Sequence, residues 1–106
     1  MGYVYLICDP ANDLYKIGVT RNLESQRIKK LQTGNPTELF IRSIYKTKWP
    51  FRLETMLHNF YRNRKVLNEW YQLDDCDVID FQDICTKLDA TIGALQSNPF
   101  FAKDLK

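Results

Sequence analysis

The sequence predicts a small α/β (α+β) domain, on three observations. Two short apolar, aromatic-rich runs, Tyr-Val-Tyr-Leu-Ile at 3–7 and Tyr-Lys-Ile-Gly at 15–18, flank Cys-Asp-Pro-Ala-Asn-Asp. A third β-branched and aromatic run occupies 38–46. Apolar residues at helical spacing fill the stretches between and after these runs. At 106 residues the chain is one domain, with room for a real core and little for a second.

The first two runs read as a β-hairpin. With its turn centred on Pro10 and Ala11, Tyr5 pairs with Lys16 and Val4 with Ile17. Alternation sends Val4, Leu6 and Ile17 to one face and Tyr3, Tyr5, Lys16 and Gly18 to the other. A lysine beside tyrosines, with a glycine leaving space, is a surface able to hold a phosphate. The same aromatics also suit an ordinary packed sheet.

A helix follows, capped by Asn22 with Glu24 in its first turn, and closed by Thr33-Gly34-Asn35-Pro36. Leu23, Arg27 and Leu31 are spaced by four, so Arg27 shares an apolar stripe instead of joining Gln26, Lys29 and Lys30. It either reaches toward a fixed anion or snorkels at the core edge.

Residues 38–46 form the third strand. Trp49-Pro50 opens a second helix, with proline in its first turn. Leu53, Met56, Leu57 and Phe60 make its core stripe, and Glu54, His58 and Tyr61 run beside it. Arg62, Arg64 and Lys65 crowd its end as a basic patch. Glu69 to Leu73 reads as a short extended segment. From Asp77 a last helix carries Val78, Phe81, Cys85, Leu88, Ile92 and Leu95 as a continuous apolar seam. It is short enough to dock on the domain or on a twin subunit, and Asn98-Pro99 ends it, with Phe100-Phe101 beyond.

Composition is ordinary for a soluble globular protein, at 44% hydrophobic and 26% charged residues. No apolar run spans a bilayer and no secretory leader pattern opens the chain, so a soluble, intracellular (cytoplasmic) protein is expected. Three cysteines, odd in number and without Cys-x-x-Cys spacing, speak against a disulfide framework and a zinc site. Residues 1–73 carry net +6 and residues 74–106 net −4, giving the overall +2. A basic body with an acidic tail fits a polyanion-binding surface, or an uneven solvated one.

Glu54 and His58 lie one helical turn apart. A carboxylate is a hard oxygen ligand suited to Mg2+ or Mn2+, which complete their shells with water and substrate phosphate. An imidazole one turn on can contact a phosphate or move a proton. A plain i, i+4 surface pair is the simpler alternative.

In order and spacing, Tyr3-Val4-Tyr5, Lys16-Ile17-Gly18, Arg27 and Glu54 resemble the GIY-YIG nuclease superfamily. The T5orf172-like branch is matched further by Tyr15 to Gly18, Asn22 to Glu24, Leu31 to Pro36, Glu54 to His58 and Glu69 to Tyr71. The resemblance covers roughly residues 2–73.

It implies a three-stranded antiparallel sheet flanked by helices over 1–75. An acidic amphipathic C-terminal helix over 76–106 docks on this domain or a second subunit. It implies a metal-dependent DNA endonuclease or nickase using Mg2+ or Mn2+, acting on DNA, most naturally double-stranded. By position, Tyr5 orients the attacking water and Lys16 stands at the second motif's tyrosine. Arg27 binds the scissile phosphate, Glu54 holds the metal, and His58 contacts phosphate or transfers a proton. Tyr3, Arg21, Lys29, Lys30, Arg62, Arg64 and Lys65 are the expected nucleic-acid contacts.

Three features depart from the family pattern: Lys16 in place of tyrosine, Val19 where a basic residue is common, and one extra residue before Arg27. No DNA-targeting domain is evident, so either the chain acts with little sequence preference or a partner or a second copy supplies the targeting. The alternatives are a non-catalytic nucleic-acid-binding module and a protein-interaction module that uses the C-terminal seam.

Overall fold

A computed structural model describes residues 1–22, 39–67 and 69–96. Strands β1 (Gly2–Asp9), β2 (Leu14–Thr20) and β3 (Phe40–Thr47) are followed by α1 (Pro50–Phe60) and a short 3-10 turn, Arg62–Arg64. Then come β4 (Lys65–Leu67), β5 (Trp70–Tyr71) and α2 (Asp75–Gln96). The helix expected after Asn22, with Arg27, Lys29, Lys30 and its Thr33–Pro36 stop, lies outside the described residues, as do Asn98 to Phe101.

The strands form one antiparallel sheet in the order β3-β1-β2-β5-β4. Among the described residues it has five strands, not the expected three. The additions are a two- and a three-residue strand joined on the β2 edge. Strands this short carry no alternation to read; β5 is defined by its pairing with Tyr15 and Lys16, and β4 by its pairing with β5.

The hairpin register also differs from expectation. Tyr5 faces Gly18 and Leu6 faces Ile17, while Lys16 faces Ile7. A two-residue turn needs positive φ at its central positions, which the fixed φ of Pro10 forbids. The loop therefore takes four residues, with Asp13 at φ 54° as the left-handed one. Asn12 closes it by donating from Nδ2 to Asp9 Oδ2 at 2.9 Å. Because the slip is two residues, every side chain stays on its expected face.

One face carries the core. Val4, Leu6, Ile17 and Val19 pack with Leu53 and Leu57 of α1 and with Phe81, Cys85 and Ile92 of α2. The last five are fully buried. The seam of α2 is thus used within its own chain. Polar contacts fix it along β3: Thr47 Oγ1 and Tyr45 Oη donate to Asp89 at 2.5 and 3.2 Å. Gln82 Nε2 donates to Ser43 Oγ at 2.6 Å and to the Ile44 carbonyl at 2.9 Å.

Helix α2 starts two residues earlier than expected. Asp74 and Asp77 cap it reciprocally, each carboxylate accepting the other's backbone N–H, at 2.9 and 3.1 Å. Those bonds, with the Arg64 guanidinium nearby, hold the Asp74 carboxyl below the usual carboxylate range.

Helix α1 begins at Pro50 as read, but its end corrects two assignments. Phe60, expected in the core stripe, is 53% exposed. Tyr61, expected beside Glu54 and His58, is buried in the core at 3% exposure. The helix ends at Phe60, yet Tyr61 at the cap (φ −97°, ψ 11°) still donates its N–H to the Leu57 carbonyl at 2.9 Å, so Leu53, Leu57 and Tyr61 continue one buried line spaced by four and Phe60 falls outside it. No helix among the described residues is long and apolar enough to cross a membrane.

Candidate active site

Strand alternation places Tyr3, Tyr5, Lys16 and Gly18 on the sheet face opposite the helical core. Tyr5 is 1% exposed and its ring lies across Gly18. A Cβ at Gly18 would sit 2.5 Å from Tyr5 Cζ, so only glycine leaves room for the phenol. Lys16, opposite Trp70, reaches sideways to Glu69, Nζ to Oε2 at 2.8 Å, with its ammonium 5.9 Å from the Trp70 ring centroid. Lys16 is therefore diagonal to Tyr5, not paired with it.

Glu54 and His58 project from α1 beside its buried Leu53 and Leu57. His58 Nε2 is 3.8 Å from Glu54 Oε2, and its Nδ1 makes a short hydrogen bond with Tyr71 Oη. Burial, then the Glu69 and Glu54 carboxylates, push the Tyr71 phenol above its ordinary pKa. The phenol stays protonated at neutral pH. With neutral imidazole it donates to Nδ1, leaving the His58 proton on Nε2, toward Glu54.

Both halves border β5. Lys16, on the face opposite the core, pairs with Glu69, while Tyr71, in the core, contacts His58, and the Glu69 and Glu54 carboxylates both raise the Tyr71 phenol. The sequence alone points to Lys16, Glu54 and His58 and assigns no role to Glu69 or Tyr71. Their signal was the Glu-Trp-Tyr motif itself, whose place beside the site depends on pairing between β5 and β2.

The basic residues disperse. Arg64 is committed to the cap of α2, 3.0 Å from Asp77 and 3.8 Å from Asp74. Arg62 and Lys65 are exposed on the turn and on β4, and Arg21 lies at the end of β2 with its guanidinium 5.7 Å from the Phe51 ring centroid. Among the described residues no group of three or more His, Cys, Asp or Glu side chains could hold a metal. The available donors are the single Glu54 carboxylate and the neighbouring imidazole. That set fits a magnesium-type ion, which keeps waters and takes phosphate oxygens, and does not fit a protein-built cage.

The model of the T5orf172 domain matches residues 2–87. The chain belongs to the T5orf172 domain family. The match takes in all five strands, α1 and the first part of α2, so every residue of the β5 cluster lies within it. The T5orf172 family is nuclease-related. Comparison with curated proteins and with solved structures gives no match.

Proposed function

We propose that this T5orf172 domain is a metal-dependent endonuclease or nickase that hydrolyses DNA phosphodiesters with a GIY-YIG site. The observation that supports this reading is the β5 cluster. Lys16 from the second motif and the Glu54–His58 pair of α1 are linked through Glu69 and Tyr71.

In this reading Glu54 holds Mg2+ or Mn2+ with His58 beside it. The bound ion polarises the scissile phosphate and stabilises the leaving oxygen. Tyr71 fixes the imidazole so that Nε2 presents a proton toward the Glu54 side, a suitable donor to phosphate or leaving group. Lys16 offers a cation that exchanges its partner Glu69 for the substrate phosphate. Tyr5, locked against Gly18, shapes the sheet face over which the attacking water is oriented. Arg27 is assigned to the phosphate by its place in the family motif.

A second reading, a nucleic-acid-binding module without catalysis, is favoured by one observation. The Tyr5 hydroxyl is buried and the Lys16 ammonium is already paired with Glu69.

One gel separates the two readings: cleavage of supercoiled plasmid with Mg2+ or Mn2+, comparing wild type, Glu54→Ala and an EDTA control. Metal-dependent nicking that disappears in Glu54→Ala is expected. Folded wild type that binds DNA in a salt-dependent way but never cuts would establish the module.

A further inference from the structure

A second feature lies at the opening of α1, one turn before Glu54. A cavity of about 490 Å3 is lined by Met1, Arg21, Trp49 and Pro50 together with Lys48, Phe51 and Arg52. Among the described residues lining it there is no acidic side chain, so three cations share one concavity. A concave basic site focuses field on an anion.

The aromatic members narrow the choice of anion. Phe51 is 55% exposed and Trp49 is half-buried, so each offers apolar ring surface inside a cationic pocket. A duplex keeps its bases stacked inside and presents mainly phosphate and sugar. Ring faces interleaved with cations instead suit unstacked bases on a charged backbone. The cavity has the size of a pocket for one small molecule or one nucleotide, far short of a duplex. Its direction relative to the candidate site is fixed by helix geometry. Phe51, Glu54 and His58 are spaced three and four apart and share one side of α1. Phe51 lies about 5 Å along the axis from Glu54.

We propose that this pocket binds a single-stranded nucleic-acid segment, with a phosphate among Arg21, Lys48 and Arg52 and a base on Phe51. Its strand would continue past Glu54, making the preferred substrate one with unpaired nucleotides beside the scissile bond. That last step rests on the nuclease reading above, whereas the binding itself does not. The sequence alone gives a nucleic-acid role only to Arg21 among these residues; the pocket forms because β2 ends beside the start of α1.

The test is fluorescence anisotropy on the full chain in EDTA, with a fluorescein-labelled oligo-dT and a labelled duplex of equal length. Phe51→Ala is expected to weaken oligo-dT binding about 5- to 100-fold and duplex binding by less than about 2-fold, with Phe51→Tyr close to wild type. Arg21→Gln is expected to lower the salt slope for oligo-dT by about 0.7. Lys87→Gln, on the exposed side of α2, serves as the charge control and leaves both unchanged. Circular dichroism confirms that each variant is folded.

Wild type that ignores oligo-dT, or a Phe51→Ala effect equal on both probes or absent from both, overturns the proposal. Because metal is excluded, this result stands apart from the plasmid gel: loss of cutting with retained oligo-dT binding removes the nuclease reading alone.

Discussion

The Tyr5 ring occupies the space that a side chain at Gly18 would take, joining the first two motifs of the chain in one buried contact. Neither residue can change alone without disturbing the other. The Gly-to-Tyr contact also explains why the phenol, 1% exposed, sits flat on the sheet instead of standing into solvent.

Gly18→Ala is accordingly expected to cost about 1–3 kcal/mol, an overpacking penalty, because Tyr5 is enclosed and cannot swing away. Tyr5→Phe does not relieve it, since Cζ and Cε1 collide as well as the hydroxyl. Urea unfolding of Gly18→Ala, Tyr5→Leu and the double variant checks this. The double variant is expected to be more stable than the two single losses add to. Strict additivity would mean that the ring does not fill that space.

The Lys16–Glu69 pair separates stability from function. The Glu69 side chain is 66% exposed, so breaking the pair costs only about 0–1 kcal/mol. Lys16→Met, which keeps the stem against Trp70, is expected to slow nicking about 100-fold with little change in melting temperature. Glu69→Gln acts in the opposite direction, releasing the ammonium and tightening DNA binding by about 2- to 5-fold at low salt. Matched melting curves and binding titrations at two salt concentrations decide the point.

His58 is the only histidine, which makes its tautomer directly readable by nitrogen-15 NMR. The Tyr71 contact predicts the Nε2–H form near pH 8 in wild type. Tyr71→Phe should give a tautomer mixture and lose about 1 kcal/mol of stability. An unchanged tautomer in Tyr71→Phe would show that another group orients the ring.

Alkaline pH should weaken the fold. Burial, then the nearby Asp89 carboxylate, push the Cys85 thiol up to about 12 from an unfolded value near 9. Burial first, then Cys85, raises the Tyr61 phenol as well. Folded protein therefore holds protons that the unfolded chain releases. Stability from Cys85 is complete below about pH 9 and declines as pH rises toward 12, by about 1.4 kcal/mol per unit for one group. Urea midpoints at pH 8, 9.5 and 10.5 should fall in that order, and more shallowly in Cys85→Ala. Under native conditions a thiol reagent should label exposed Cys76 first and reach buried Cys85 only on unfolding.

Much of the scaffold was legible because its signals are local. Pro50 at the start of α1, the Leu53/Leu57 stripe, the β-branched run of β3 and the seam of α2 each follow from residues a few positions apart. The facial sorting of Tyr5, Lys16 and Gly18 was legible too, since a two-residue slip preserves it. The register itself was not, because it depends on which backbone angles Pro10 and Asp13 permit in the loop. Tyr61 and Phe60 exchanged places because the buried line runs Leu53, Leu57, Tyr61, while the spacing suits either residue and only packing against the core decides between them.

The sequence by itself determined the element types, the family motifs and the candidate side chains Tyr5, Lys16, Glu54 and His58, all encoded by short-range pattern. Only the tertiary structure decided that β4 and β5 extend the sheet and that Glu69 and Tyr71 join Lys16 to His58. It likewise decided that Arg64 belongs to the cap of α2 and that Arg21 closes a pocket with Phe51. Those relationships link residues distant in the chain, and their energy comes from burial and pairing that exist only once the sheet has formed.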